Sequence, residues 1–348
     1  MVEMGLAEKI HAYLAHVYPE AKNLAIAGLN RIHGGASRET YALTASWQEG
    51  RQEVSKPLIF RRDPTKGLIE TERDIEFAAY QAFYGAVPVP EPLFLETDRQ
   101  WLDRPFFVME RVTGGDAGSP FAANTYGDFA GSIGAQFWTH LGAIAKNRGA
   151  VSSLASVLDK PAPDQCWQRE LDYWVHEIDT HELEPQPLAR AAIRWLRSNP
   201  PPPPKEITVV HGDYRTGNFL HDGAGNILAL LDWEMVHLGD PLEDIAWATD
   251  SLWCWFNRDN PGQMIPREQA LQIWEAQSGL SVDRDALQWW EIFSHVKGLA
   301  IWITAGDTYR NSDNKDATLA YSSLVCTDIH NQILAEKMPR LLGLESAI

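Results

Sequence analysis

The string His211-Gly212-Asp213-Tyr214-Arg215-Thr216-Gly217-Asn218 sets a carboxylate, a cation and a carboxamide within eight residues, and Asp232 follows fourteen residues after Asn218. These residue types suit phosphoryl transfer. Such a reaction needs a carboxylate to orient the attacking hydroxyl and accept its proton. It needs hard oxygen ligands to hold magnesium against nucleotide phosphates. It also needs a cation to meet the charge on the transferring group. Asp213 can supply the first, Asn218 with Asp232 the second, and Arg215 the third. A lone D-x-x-x-x-N would carry little; the whole string with its later acid is specific.

A loop that follows one strand, joined by a hairpin to the end of a second, would bring these groups together. The runs ITVVHGD and NILALLDWE read as those strands, with NFLHD and the turn DGAGN between them. Upstream, Leu6, Ile10, Tyr13, Leu14 and Val17 recur at helical spacing. Short apolar runs then alternate with Gly-rich turns, which predicts an antiparallel sheet. Residues 69–84 read as a helix stopped by VPVPEP, and PFFVMERV as a buried strand. From about Ser119 the pattern turns to long helices, interrupted by NPPPPPKE, an extended spacer. The expected architecture is α+β and two-lobed, with a small antiparallel N-terminal lobe (residues 1–110) and a larger helical C-terminal lobe (residues 111–348). The site would lie in the cleft between them.

The chain has 348 residues, 45% hydrophobic with 14 Trp, ample for buried cores. No apolar run reaches the ~18–20 residues of a membrane helix. The first twenty residues lack the basic-then-apolar order of a signal peptide. Cys166, Cys254 and Cys326 match no metal spacing and read as reduced thiols of a cytoplasmic protein. The formal net charge of −17 disfavours nucleic acid and anionic membrane surfaces as partners. It reads as solubility, with an acidic cleft for a cationic substrate as the sharper alternative.

The string HGDYRTGN resembles the protein-kinase catalytic loop, with Gly in place of Arg after the His. With the later LDWE it resembles the aminoglycoside and choline kinase relatives. The wider pattern, HGDYRTGNFL then LDWEMVHLGDPLEDIAW, is similar to the phosphotransferase domain joined to acyl-CoA dehydrogenases and to its free-standing bacterial homologues. The resemblance runs from about Ala27 to at least Trp302. It implies a protein-kinase-like fold and an ATP- and magnesium-dependent kinase acting on a small-molecule hydroxyl. It places Arg61 as the cation on the α- and β-phosphates, where other kinases have Lys, and Glu76 as its helix partner, with Glu72 one turn earlier as runner-up. Strand register decides between Arg61 and Arg62. Gly34, Gly35 and Ser37 align with the nucleotide-covering turn, although an ordinary hairpin turn has the same composition; Arg38 stands where relatives often have Asn. Glu110 and Val112 fall at the hinge that would bond adenine through the backbone. His211 becomes structural, since Asp213 already fills the role of base. Asp244 becomes the acid that caps the catalytic-loop backbone, while Asp240 is either a turn acid or a site residue.

Two other classes compete. A nucleotide-binding pseudokinase would lack Asp213, Asn218 or Asp232, and all three are present. A metal-dependent hydrolase would show H-x-H or H-E-x-x-H, and neither occurs. The resemblance suggests a hydroxyacyl-CoA as acceptor, with aminoglycosides, choline or other amino-alcohols as the alternative. The Trp-rich C-terminal helices read mainly as core, since Trp289, Phe293, Val296, Ala300 and Ile303 share a stripe. Trp253, Asp250 and Arg310 are the positions expected on the acceptor wall.

Overall fold

The computed structural model describes residues 5–32, 39–63 and 73–343. Gly34, Gly35, Ser37, Arg38 and Glu72 lie outside them. Helix α1 (Leu6–Val17) buries Ile10, Tyr13 and Leu14, and Glu8 closes its first turn by accepting the Gly5 N–H at 3.0 Å. Next come β1 (Lys22–Ile32), β2 (Glu39–Glu49), β3 (Gln52–Arg62), α2 (Arg73–Phe83), β4 (Pro92–Glu96), a short α3 (Arg99–Leu102) and β5 (Phe106–Glu110). The five strands form one antiparallel sheet in the order β1-β2-β3-β5-β4.

Period-two alternation gives each face of this sheet its own core. Leu58, Phe60, Phe106 and Val108 pack on α1, whereas Ile59, Phe107 and Met109 face α2 and the C-terminal part. The second cluster continues without a break into the helical lobe, where Phe83 of α2 stacks on Trp233 at 4.6 Å between ring centroids.

The C-terminal part opens with β6 (Asp116–Ala117), α4 (Ala130–Lys146), α5 (Arg148–Leu154), α6 (Cys166–His181) and α7 (Pro187–Ser198). The proline run then leads, with neither helix nor strand, into β7 (Thr208–Val210). Strands β8 (Phe219–His221) and β9 (Ile227–Leu230) form the expected hairpin, and β6 pairs beside it. Strand β10 (His237–Gly239) returns against β7 and leads into α8 (Leu242–Ala248). The remainder is α9 (Arg267–Ser278), the 28-residue α10 (Arg284–Asn311), α11 (Ala317–Tyr321), a π-helical turn Ser322–Cys326 and α12 (Thr327–Leu341). An antiparallel sheet followed by a mostly helical part is the α+β plan read from the sequence. Strands β4, β6 and β10 are additions to it: each is at most five residues, too short for a clear alternation. No described helix is long and apolar enough to cross a membrane.

Candidate active site

The loop from β7 to β8 carries Asp213, and its backbone is held at every peptide before the carboxylate. Asp244, in the first turn of α8, accepts the His211 N–H at 2.7 Å and the Gly212 N–H at 2.9 Å. Burial pushes the Asp244 carboxyl up to about 6, against those two bonds, which favour its charged form. The Asp213 N–H donates to Nδ1 of His211 at 3.2 Å, while Nε2 of the same ring meets the Leu231 carbonyl at 3.0 Å. The imidazole therefore carries its proton on Nε2 and bridges the β7–β8 loop to the end of β9. Burial lowers its pKa to about 4, so it stays neutral. Gly212 has φ +83°, and a Cβ there would lie 2.4 Å from the Met235 carbonyl oxygen. The Arg of the kinase-like motif has no room at this position.

Both oxygens of the Asp213 carboxylate accept hydrogen bonds. Its Oδ1 accepts from Nε1 of Trp247 at 2.7 Å and from Nε of Arg215 at 2.9 Å, and its Oδ2 from Nδ2 of Asn218 at 2.5 Å. The Arg215 guanidinium also rests 4.6 Å from the centre of the Trp253 ring. Trp247 closes the string LDWEMVHLGDPLEDIAW, which by itself gives no sign of this bond to Asp213.

Asp232 stands just past β9 in the left-handed region, φ 61°, and its N–H donates to the Tyr80 hydroxyl at 3.2 Å. Its carboxylate meets Nη1 of Arg61 at 2.7 Å. Arg61 also reaches Glu76 of α2 at 3.2 Å and Glu234 at 3.9 Å. Glu76 is fully buried and also pairs with Arg73 at 3.1 Å. Burial would raise the Asp232 pKa, but the Arg61 guanidinium holds it below the usual carboxylate range. The same carboxylates hold the buried Arg61 firmly charged against its desolvation. Sheet register separates Arg61 from Arg62. Arg61 shares a face with Ile59, whereas Arg62 shares the opposite face with Phe60 and binds Glu39 at 2.5 Å.

Asn218 and Asp232 suit magnesium in their donor chemistry. The Asn218 amide nitrogen is committed to the Asp213 carboxylate and, at 2.9 Å, to the Asp213 carbonyl, so its oxygen is the atom that could serve as a ligand. Two hard oxygens of this kind match that ion's preference.

Of these groups Arg61, Asp213, Arg215, Asp232 and Glu234 line a cavity of about 640 Å³. One end is lined by Ile59, Pro90, Met109, Glu110, Val112 and Leu231, a mostly apolar slot beside the end of β5. The other end is walled by Trp247, Trp253, Ile301, Trp302, Ala305 and Leu319. The carboxylates among the described lining residues are Glu110, Asp213, Asp232 and Glu234, and none belongs to the helical wall.

Of the three residues expected on that wall, Trp253 lines the cavity and two do not. Asp250 is 2% exposed and sits behind it, 2.9 Å from Nδ1 of His295 and 3.3 Å from Nε2 of His330. His330 in turn accepts from the Trp302 indole at 3.0 Å. Arg310 is exposed and does not line the cavity. Asp240 is a turn acid: it accepts the Leu242 N–H at 2.9 Å and the Trp290 indole at 3.0 Å, away from the cavity.

The sequence profile of the phosphotransferase enzyme family matches residues 28–290. Acyl-CoA dehydrogenase family member 11 of Gallus gallus is 28% identical over 229 residues, which are 64% of this chain and 27% of that protein. The chain thus spans about a quarter of the length of that relative. Among solved structures, a Ralstonia eutropha protein described as an aminoglycoside phosphotransferase superposes with a TM-score of 0.68 at 19% identity, covering 95% of this chain and 98% of its own. Spectinomycin phosphotransferase APH(9)-Ia, solved with ADP and spectinomycin, gives 0.57 at 14% identity, covering 91% of this chain and 93% of its own.

Proposed function

The chain belongs to the phosphotransferase enzyme family, and we propose that it moves the γ-phosphate of ATP, with magnesium, to a hydroxyl carried on a small molecule. The observation that carries this reading is the convergence of Asp213, Asp232 and Arg61 on one cavity, with Asn218 bonded to Asp213 and Glu76 to Arg61.

In this reading the adenine lies in the slot at Glu110 and Val112, and Arg61 meets the α- and β-phosphates. Asn218 and Asp232 would hold the magnesium ion, which supplies positive charge against the phosphates when bound. Asp213 accepts the proton of the acceptor hydroxyl as that oxygen forms its bond to the γ-phosphorus and the bond to ADP breaks. The Trp247 N–H keeps the carboxylate aimed. Arg215 leaves its present bond to Asp213 and meets the phosphoryl oxygens in flight. The residues 1–110 and 111–348 act as the nucleotide and acceptor lobes.

The helical wall favours an acceptor with an apolar body. A polycationic aminoglycoside or an amino-alcohol calls for carboxylates there, and the described lining residues of that wall supply none. Together with the acyl-CoA dehydrogenase relatives, this supports a hydroxyacyl-CoA. The test is an ATP-consumption screen over hydroxyacyl-CoA, aminoglycoside and amino-alcohol panels, with product mass. The expected outcome is one added phosphate on a hydroxyacyl-CoA, absent with D213N. Phosphorylation confined to amines would overturn the acceptor class, and no ATP use with any acceptor would overturn the kinase reading.

A further inference from the structure

Lys297 has no part in the reaction above, yet it is 1% exposed within a continuous buried run of α10, from Ile292 to Ile301. Burying an ammonium is costly unless it is paired and hydrogen-bonded. The Lys297 Nζ donates to the Gly212 carbonyl at 2.6 Å and to Glu243 at 2.9 Å. It also lies 5.0 Å from the centre of the Trp247 ring. Each contact leads to the base. The Gly212 carbonyl belongs to the peptide whose N–H is that of Asp213. The Trp247 indole donates to the Asp213 carboxylate at 2.7 Å.

That peptide is gripped from both sides, its N–H by His211 at 3.2 Å and its oxygen by Lys297. Asp244 already holds the two N–H groups before it. Partner balance alone does not account for the lysine, because Glu243 also has His237 at 3.0 Å. We infer that Lys297 is a positioning residue for the base: by fixing the Gly212 carbonyl and the Trp247 ring together, it sets where the Asp213 carboxylate stands. Ile301 and Ala305 follow Lys297 by four and eight residues, on the same stripe of α10, and both line the acceptor end of the cavity. One helix thus registers the base against the surface that receives the acceptor.

The inference rests on the kinase reading, and its test does not require the acceptor's identity. Basal ATP hydrolysis, MgADP affinity by calorimetry and Tm are measured for the wild type, K297M and the double variant K297M/E243Q, which removes the buried pair as a unit. The expected result is a fall in turnover at saturating MgATP on the order of 10²-fold in both variants. ATP KM and MgADP affinity should stay within about twofold, since the residues proposed to contact the nucleotide lie elsewhere. K297M turnover within threefold of wild type would overturn the role. So would a parallel loss of turnover, nucleotide affinity and Tm that the double variant reverses, because that pattern reports fold repair alone. A wild type that neither binds MgADP nor consumes ATP would sink the kinase reading, and the positioning role with it.

Discussion

Gly212→Ala adds one methyl group next to the proposed base. An L residue in the left-handed region costs about 1–2 kcal/mol. The new Cβ would also sit 2.4 Å from the Met235 carbonyl oxygen and 2.8 Å from the Met235 Cβ. Carbon and carbonyl oxygen touch at about 3.3 Å, so loop or turn must part by roughly 1 Å. Overpacking of this kind costs a further ~1–3 kcal/mol. The displacement falls on the peptide that carries Asp213, where a 1 Å error is worth about 10² in rate. Turnover should therefore fall about a hundredfold, with a drop of several degrees in Tm and little change in MgADP affinity. Gly223 is the control. It also has positive φ (+68°) at the hairpin tip, but a Cβ there meets nothing within 4 Å. G223A should lose only the strain term and keep its turnover. If G212A turns over within threefold of wild type, or G223A loses as much rate, the steric argument is wrong.

D213N should bind MgADP as the wild type does and lose transfer by ~10²–10⁴, as expected for a positioned base; turnover within a few-fold would remove Asp213 from that role. W302A should raise the acceptor KM by roughly tenfold and leave the ATP KM unchanged, a loss of uniform acceptor binding; equal changes in both would place Trp302 in the core rather than on the wall. Burial would lower the His237 pKa, but Glu170 and Glu243 hold the ring up at about 9. A group raised in the folded state contributes stability below its unfolded value, ~6.5, and loses it as pH rises to the folded value. The Tm of the wild type minus that of H237Q should thus be positive at about pH 6 and vanish by about pH 10; a difference that grows with pH would reverse the assignment.

The grouping of Asp213, Arg215, Asn218 and Asp232 was legible because the first three lie close in sequence, and a hairpin of fixed length carries Asp232 back towards them. The choice between Arg61 and Arg62 was not, since a one-residue slip exchanges the faces of a strand. Register resolves it through Phe60, which belongs to the α1 core. Asp250 was misread on the premise that an acid is a poor core residue; two histidines satisfy it in the interior. Lys297 left no motif because it meets the loop from 85 residues away, and Trp247, 34 residues away, closes the string LDWEMVHLGDPLEDIAW without any sign there of its bond to Asp213. One signal for the lysine existed: a single full charge within the mostly apolar helical run FSHVKGLAIWIT. The nucleotide-covering turn at Gly34, Gly35 and Ser37 remains a proposal from the resemblance.

The unbroken core from the inner face of the sheet into the helical lobe bears on how the molecule comes apart. Ile59, Phe107, Phe83, Trp233 and Trp290 belong to one apolar cluster, so the sheet cannot shed the helices without exposing the seam at Phe83 and Trp233. Inner face and helices should melt as one cooperative unit. The layer of Ile10, Tyr13, Leu14 and Phe60 is a separate cluster under α1. It can open sub-globally, at a lower free energy than the whole. A nucleotide bound in the proposed site should then slow hydrogen exchange throughout the large cluster, even far from the phosphates, while the amides of α1 should go on exchanging at their own pace.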